Sequence, residues 1–185
     1  MAGMGGYTRN GSGRGFAYST GIGGFIGVPF SEPCEVRTLD EFVFALRRSS
    51  GLTFDEKIPG AQSQLCTTDL CLQAERRGLR SYALTCFGLH NSNRWSDLPL
   101  NFWKCYLYIR KKRRDVLPVD VPDTRLTASW LPMIKNTVRG LLRLRRGHRV
   151  VTRVVDPPAL YEQLRRDLTL TFDEPLEDSP GTWRG

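Results

Sequence analysis

Apolar and polar positions along the chain follow two periods, with Gly and Pro as punctuation. In residues 37–51 (RTLDEFVFALRRSSG), Phe42, Val43 and Leu46 share a helical face. Thr38 is placed to cap, Glu41 three residues on can close a capping box, and Gly51 supplies a left-handed stop, so a short amphipathic helix is predicted. LTFDE (52–56) predicts a short strand and Ile58-Pro59-Gly60 a turn; TTDLCLQAERRG (67–78), with a Thr start and a Gly stop, predicts a second helix. Residues 79–89 and 101–110 carry β-branched and aromatic side chains at strand length. In the second segment Trp103, Cys105, Leu107 and Ile109 alternate with Lys104, Tyr106, Tyr108 and Arg110, which predicts a β-hairpin or meander closed by the charge run Lys111 to Arg114. Pro118 and Pro122 then mark an extended connector.

From Pro132 to about Arg146 the helical period returns. Ile134, Val138, Leu141 and Leu142 form an apolar stripe, opposite Lys135, Arg139, Arg143 and Arg146. Gly147 ends this helix, residues 149–155 alternate as a strand, Pro157-Pro158 opens another helix, and LTLTFDE (168–174) predicts a last strand before an acidic tail. LRRSSGLTFDE (46–56) and LRRDLTLTFDE (164–174) echo one another at two expected helix-to-strand transitions.

These elements predict one compact α+β domain over 31–176, with a mixed or antiparallel sheet and several short helices, between two loose ends. Residues 1–30, dominated by Gly and Ser, read as a flexible arm, and 177–185 as a short tail. The end of the arm, GFIGVPF, offers Phe25, Ile26, Val28 and Phe30 either to a membrane interface or partner or as the first strand entering the core.

Charge changes the picture most. Of 27 Lys and Arg, eight lie in 124–155, which has no Asp or Glu; the other segments balance at 19 basic and 19 acidic. The net charge of +8 is therefore local and points to an extended anionic partner, nucleic-acid phosphates or an acidic lipid surface. The candidate anion-binding residues are Lys111, Lys112, Arg113, Arg114, Lys135, Arg139, Arg143, Arg145, Arg146, Arg149 and Arg153. Only Tyr106, Tyr108 and Trp130 interleave with them, which favours backbone or headgroup contact over base stacking. No apolar run is long enough to span a membrane, no secretory leader opens the chain, and Ala2 denies a myristoylation site, so the cytosol or nucleus is expected.

Five cysteines fit a reducing compartment and free thiols. Cys66, Cys71, Cys86 and His90 form C-x4-C-x14-C-x3-H; the residue types suit zinc, but the spacing suits buried thiols better, and no cofactor is expected otherwise. Neither histidine sits in a local nucleophile motif, and the paired carboxylates lie at element ends, so a cysteine hydrolase is the weakest expectation and a non-enzyme the first. Tyr161 and Leu164 spell a YxxL tetrapeptide of the type that recruits host budding machinery, although three-residue spacing on a helix also suits core packing. Pro157-Pro158-Ala159-Leu160 is not a PPxY motif.

Leu168-Thr169-Leu170-Thr171, followed by Asp173, Glu174, Leu176, Glu177, Pro180 and Trp183, resembles the late strand of vesiculovirus-type rhabdovirus matrix proteins, where an L-T-x-T strand runs into D-E-x-L-E-x-x-P-x-x-W. The resemblance implies a structural protein of the virion that binds viral nucleocapsid or RNA, self-associates and meets the acidic inner leaflet during budding. Its implied locations are the virion, the host cytoplasm and the inner face of the host membrane, with the host nucleus a further one. The rival expectation is a small nucleic-acid-binding viral regulator, such as a silencing suppressor or transcription modulator, with structural zinc as an option and not a requirement.

Overall fold

In the computed structural model the described residues are 1–21, 23–59, 65–91, 100–122, 124–129, 134, 135, 138, 142 and 156–171. Helix α1, Cys66–Arg76, is the element the rest packs around. Leu70, Cys71, Leu72 and Ala74 are at most 1% exposed, and they serve three separate apolar clusters. Leu72 joins Phe102, Tyr106, Ile109, Val121 and Leu126; Cys71 joins Val36, Leu39 and Ala83; Leu70 and Ala74 join Leu52. A helix that feeds this many clusters is buried on most sides, and Thr67, Thr68 and Asp69 are buried as well, while Arg76 in the last turn is exposed. Gly78, at φ 69°, stops the helix as its sequence predicts.

Two sheets flank this helix. One is mixed, in the order β5 (Cys34–Val36), β8 (Ser81–Ala83), β1 (Ala2–Gly3), β7 (Phe44–Ala45), with β1 and β8 parallel. The other runs antiparallel through β4 (Gly24–Val28), β3 (Gly13–Ser19), β2 (Gly5–Tyr7) and β6 (Thr38–Leu39), and β9 (Gly88–His90) joins β3 in parallel. A ribbon of β10 (Val119–Val121) and β11 (Thr124–Leu126) completes the strands. With helices α2 (Leu100–Lys112) and α3 (Pro157–Thr171), the described residues form the expected α+β arrangement of sheets and short helices.

Several local expectations are overturned. Residues 1–30 supply β1 to β4, with Met4 and Phe16 buried, so they belong to the sheets and not to an arm outside them. Their glycines serve close backbone approach: a Cβ on Gly6 would lie 2.0 Å from the Thr38 carbonyl oxygen. The GFIGV segment is a strand, β4, but the fourth along the chain and at the edge of its sheet, not the first one entering the core.

No α-helix forms over 37–51. The Thr38 hydroxyl, placed by sequence to cap, instead donates to the Asp120 carbonyl at 2.6 Å, and the segment holds β6, β7 and a 3-10 turn, Arg48–Ser50, stopped by left-handed Gly51. LTFDE is irregular, and 79–89 splits into β8 and the start of β9.

The expected hairpin strand at 101–110 is helix α2. Phe102, Cys105, Tyr106 and Ile109, each at most 1% exposed, repeat at the spacing of one helical face, and this set outweighs the period-two alternation. Buried Tyr106 is satisfied by donating to the Arg125 carbonyl and accepting from the Thr127 amide, both at 3.2 Å. Helix α3 starts at Pro157 as expected but runs through Thr171, so the L-T-L-T segment is helical where a strand was expected. The LRR echo consequently joins a 3-10 turn to a helix interior, two unlike structures. Arg149 to Val155 and the tail from Phe172 lie outside the described residues.

Candidate anion-binding surface

The run Lys111-Lys112-Arg113-Arg114 closes α2, where cations offset the helix dipole. Helical rotation divides it. Lys112 Nζ lies 2.8 Å from Asp69 and 2.5 Å from Asp55, and Arg113 Nε lies 2.7 Å from Asp69, whose side chain is 1% exposed. The Tyr108 hydroxyl also donates to Asp55 at 2.8 Å, and Gln73 donates to Asp69 at 3.3 Å. The Lys112 hydrogen bond is the main cause holding the Asp55 carboxyl down at about 2, with the Lys57 amide and Tyr108 assisting against a desolvation effect that opposes them. Burial, the largest single effect on Lys112, lowers its pKa, but the bonds to Asp55 and Asp69 outweigh it and the ammonium ends up favoured. Lys112 and Arg113, both expected to bind an external anion, are therefore internal pins between α1, α2 and the 52–57 loop.

Other cations facing α1 are similarly occupied. Arg37 reaches Glu75 at 3.2 Å and the carbonyls of Pro118 and Val116 at 2.8 and 2.5 Å; Arg9 reaches Glu75 at 2.8 Å, and Arg76 pairs with Asp115. Lys111 and Arg114 point the other way and are exposed. Lys104, Leu107 and Lys111, at spacings of three and four, share the solvent side of α2, with Leu107 39% exposed; Arg114, also exposed, opens the 3-10 turn Arg114–Val116 that follows.

Lys135 is exposed and helical, like its neighbours Ile134, Val138 and Leu142, which are 52, 48 and 51% exposed. The predicted apolar stripe thus faces outward at its described positions. Arg139, Arg143, Arg145, Arg146, Arg149 and Arg153 lie outside the described residues.

A second surface feature is aromatic. On β3, Phe16 and Tyr18 alternate onto one sheet face, and Phe25 of β4 stands opposite Tyr18 in register. Phe25 stacks on Phe16 (centroids 5.5 Å, 6°) and meets Tyr18 edge-on at 5.3 Å, yet stays 48% exposed. Ile26 is partly buried, and Phe30 packs on the Val36–Leu39 cluster, so of the four apolar candidates Phe25 is the outward one whose side chain is described; that of Val28 is not. Phe87 extends the aromatic wall, and Tyr161 stacks on it at 5.3 Å and 20°, which commits the Tyr161 ring to packing. Leu164 is partly buried on the same helix. Sequence reasoning missed Phe16, Tyr18 and Phe87; the period-two placing of Phe16 and Tyr18 in a Gly-rich frame was the available signal.

Cys66, Cys71, Cys86 and His90 are not brought together as a ligand set: among the described residues there is no group of three or more His, Cys, Asp or Glu able to hold a metal. Cys71 is buried and Cys86 is exposed, the latter against the expectation of a buried thiol. His90 instead packs edge-on against Phe42 at 5.1 Å. Burial pushes the Cys71 thiol up to about 11 and raises those of Cys66, Cys86 and Cys105, the opposite of what a nucleophile or a thiolate ligand needs. Among the described residues no helix is long and apolar enough to cross a membrane.

No family model, curated protein or solved structure matches the chain.

Proposed function

We propose that the chain is a non-enzymatic assembly protein of matrix type, whose outward cations adhere to an extended anion, viral nucleocapsid on one side and the acidic inner leaflet of a host membrane on the other. The observation that carries this reading is the sorting of charge at the end of α2. The carboxylates Asp55 and Asp69 are taken by Lys112 and Arg113, while Lys111 and Arg114 stay exposed; the acid-free stretch 124–155 begins beyond a connector that holds Asp115, Asp120 and Asp123. Like charges this close repel one another and gain most when a phosphate surface neutralises them. Phe25, exposed beside the β3–β4 turn, is suited to enter the headgroup region once the cations have brought a membrane near.

A second reading, a single-stranded RNA-binding regulator, is favoured by the aromatic wall, because exposed Phe25 and partly exposed Tyr18 share a sheet face with exposed Arg14, as a stacking platform requires.

The test pairs two measurements on the full chain: sedimentation with vesicles of mixed acidic and neutral lipid, and retention of single-stranded RNA, each across a salt series. The matrix reading expects both associations, both weakening steeply with salt, and both impaired by Arg139→Glu, Arg143→Glu and Arg146→Glu together. RNA binding without vesicle binding selects the regulator, and association unchanged by the charge reversals defeats both readings.

A further inference from the structure

We propose that Ser50 is a phosphorylation site for an arginine-directed protein kinase, and that Arg77 is the side chain that receives the phosphate. The inference is independent of the anion-binding reading. Residues 46–52 read Leu-Arg-Arg-Ser-Ser-Gly-Leu, so Arg47 and Arg48 precede the Ser50 hydroxyl by three and two residues. That is the spacing at which the acidic pockets of such kinases hold guanidinium groups by charge-assisted hydrogen bonds. Arg47, Arg48 and Ser49 are exposed, and Ser50 is partly exposed.

Presentation to a kinase requires an extended segment, which here means opening one surface turn, freeing the Ser50 hydroxyl from the Leu52 amide at 3.4 Å and releasing the Arg77 contacts. The 3-10 turn Arg48–Ser50 contains no buried residue and is closed by two backbone bonds, Ser50 N to Arg47 O at 2.9 Å and Gly51 N to Arg48 O at 3.4 Å. Such a turn opens locally without disturbing the core. Leu52, buried against Leu70 and Ala74, holds the following chain to α1, so the opened turn stays anchored at its exit.

The receiving group is already in place. Arg77, just past the end of α1, donates from Nη1 to the carbonyl of Gly51 at 2.8 Å and of Ser50 at 3.2 Å. In the transfer, Ser50 Oγ forms a bond to the γ-phosphorus of ATP and the bond from that phosphorus to the bridging oxygen breaks. ADP leaves, and the hydroxyl proton passes to the kinase's carboxylate base. The product carries a charge of about −1.5 to −2 beside Arg47, Arg48 and Arg77. Arg77 exchanges neutral carbonyl acceptors for an anionic one and bridges the turn to the end of α1. The second Leu-Arg-Arg, at 164–166, is a built-in control: it lies in α3, Arg165 is paired with Glu162 at 3.0 Å, and Asp167 and Leu168 stand where the two serines do.

The experiment treats the full chain with a purified arginine-directed kinase and ATP, reads the product by intact mass and fragmentation, and follows amide exchange over 47–53. One phosphoryl group at Ser50 is expected, retained in Ser49→Ala, lost in Ser50→Ala, and added about tenfold more slowly in Arg47→Gln/Arg48→Gln. Amide exchange in the turn should slow on phosphorylation of the wild-type chain and not of Arg77→Gln, which is phosphorylated at least as fast because losing the Arg77 bonds to the Ser50 and Gly51 carbonyls loosens the turn. No incorporation, or incorporation that survives Ser50→Ala, overturns the site. Equal slowing of exchange in Arg77→Gln overturns the role of Arg77.

Discussion

Four consecutive cations, Lys111 to Arg114, contain two pairs with opposite roles. Lys112 and Arg113 are turned into the junction of α1 and α2, where Arg113 and Asp69 have side chains 6% and 1% exposed; Lys111 and Arg114 are turned to solvent. The inner pair is a cost of construction. A charge taken out of water must be met by a partner, and removing that partner leaves an uncompensated ion in a low-dielectric site. The outer pair costs the fold almost nothing and remains available to a second body. Equal charge in sequence therefore carries unequal meaning, and what decides it is the direction each residue takes at the end of α2 and in the 3-10 turn Arg114–Val116 that follows, and whether a carboxylate waits there.

The largest effect that tests this contrast is expected at Asp69. Asp69→Asn strips Arg113 of its buried counter-charge and should destabilise the fold by about 3–5 kcal/mol, measured by urea denaturation. Lys111→Met should stay within about 0.5 kcal/mol of the wild type. Comparable losses from the two would erase the distinction between inner and outer cations. Next in size, Lys111→Gln/Arg114→Gln should leave the denaturation midpoint unchanged and weaken binding to acidic vesicles by about 2 kcal/mol, near thirtyfold, at roughly 1 kcal/mol for each cation near the surface. The same change at Lys112 should instead show up in stability.

A smaller effect belongs to acid. Asp55 has its carboxyl held at about 2, against 3.8 for an unperturbed aspartate. A depressed folded value means that the stabilisation is fully present above pH 4 and is lost as pH falls through about 2. An acid titration followed by circular dichroism should therefore show Asp55→Asn losing less stability than the wild type between about pH 4 and pH 2. Parallel losses in the two proteins would show that the Lys112–Asp55 contact does not couple to folding.

The sequence made part of this contrast legible. Helix α1 with its glycine stop, the Pro157 start of α3 and the basic character of 111–114 were all readable, because each depends on neighbours within a few residues. Which of the four cations would face inward was not readable: Asp55 and Asp69 lie 57 and 43 residues from Lys112. The pattern over α2 misleads for a related reason, since 101–110 satisfies both periods and only burial against Leu72 and Val121 selects Phe102, Cys105, Tyr106 and Ile109. At Thr38 a plausible local cap lost to a tertiary acceptor, the Asp120 carbonyl. In 1–30 the glycines that suggested an arm admit close strand pairing, which rests on contacts between backbones that no side-chain pattern records.

The smallest expected effect asks whether the outward cations act alone. Phe25 is 48% exposed and its remaining contacts are ring to ring, with Phe16, Tyr18 and Phe87, so Phe25→Ala should cost the fold only about 1 kcal/mol. If the chain meets a membrane as proposed, the same ring buries its open half among headgroups and acyl chains, and its loss should weaken vesicle binding by about 1 kcal/mol, near fivefold. Salt separates the two contributions. The cation variants flatten the salt dependence of binding, whereas Phe25→Ala should lower binding equally at every salt concentration, because burying an apolar ring releases no counterions. RNA retention adds a further division: a loss in Phe25→Ala confined to vesicles supports membrane insertion, and a loss confined to RNA makes the aromatic wall a stacking platform and favours the regulator. If Phe25→Ala changes neither, adhesion belongs to the outward cations alone and the exposed ring is surplus to it.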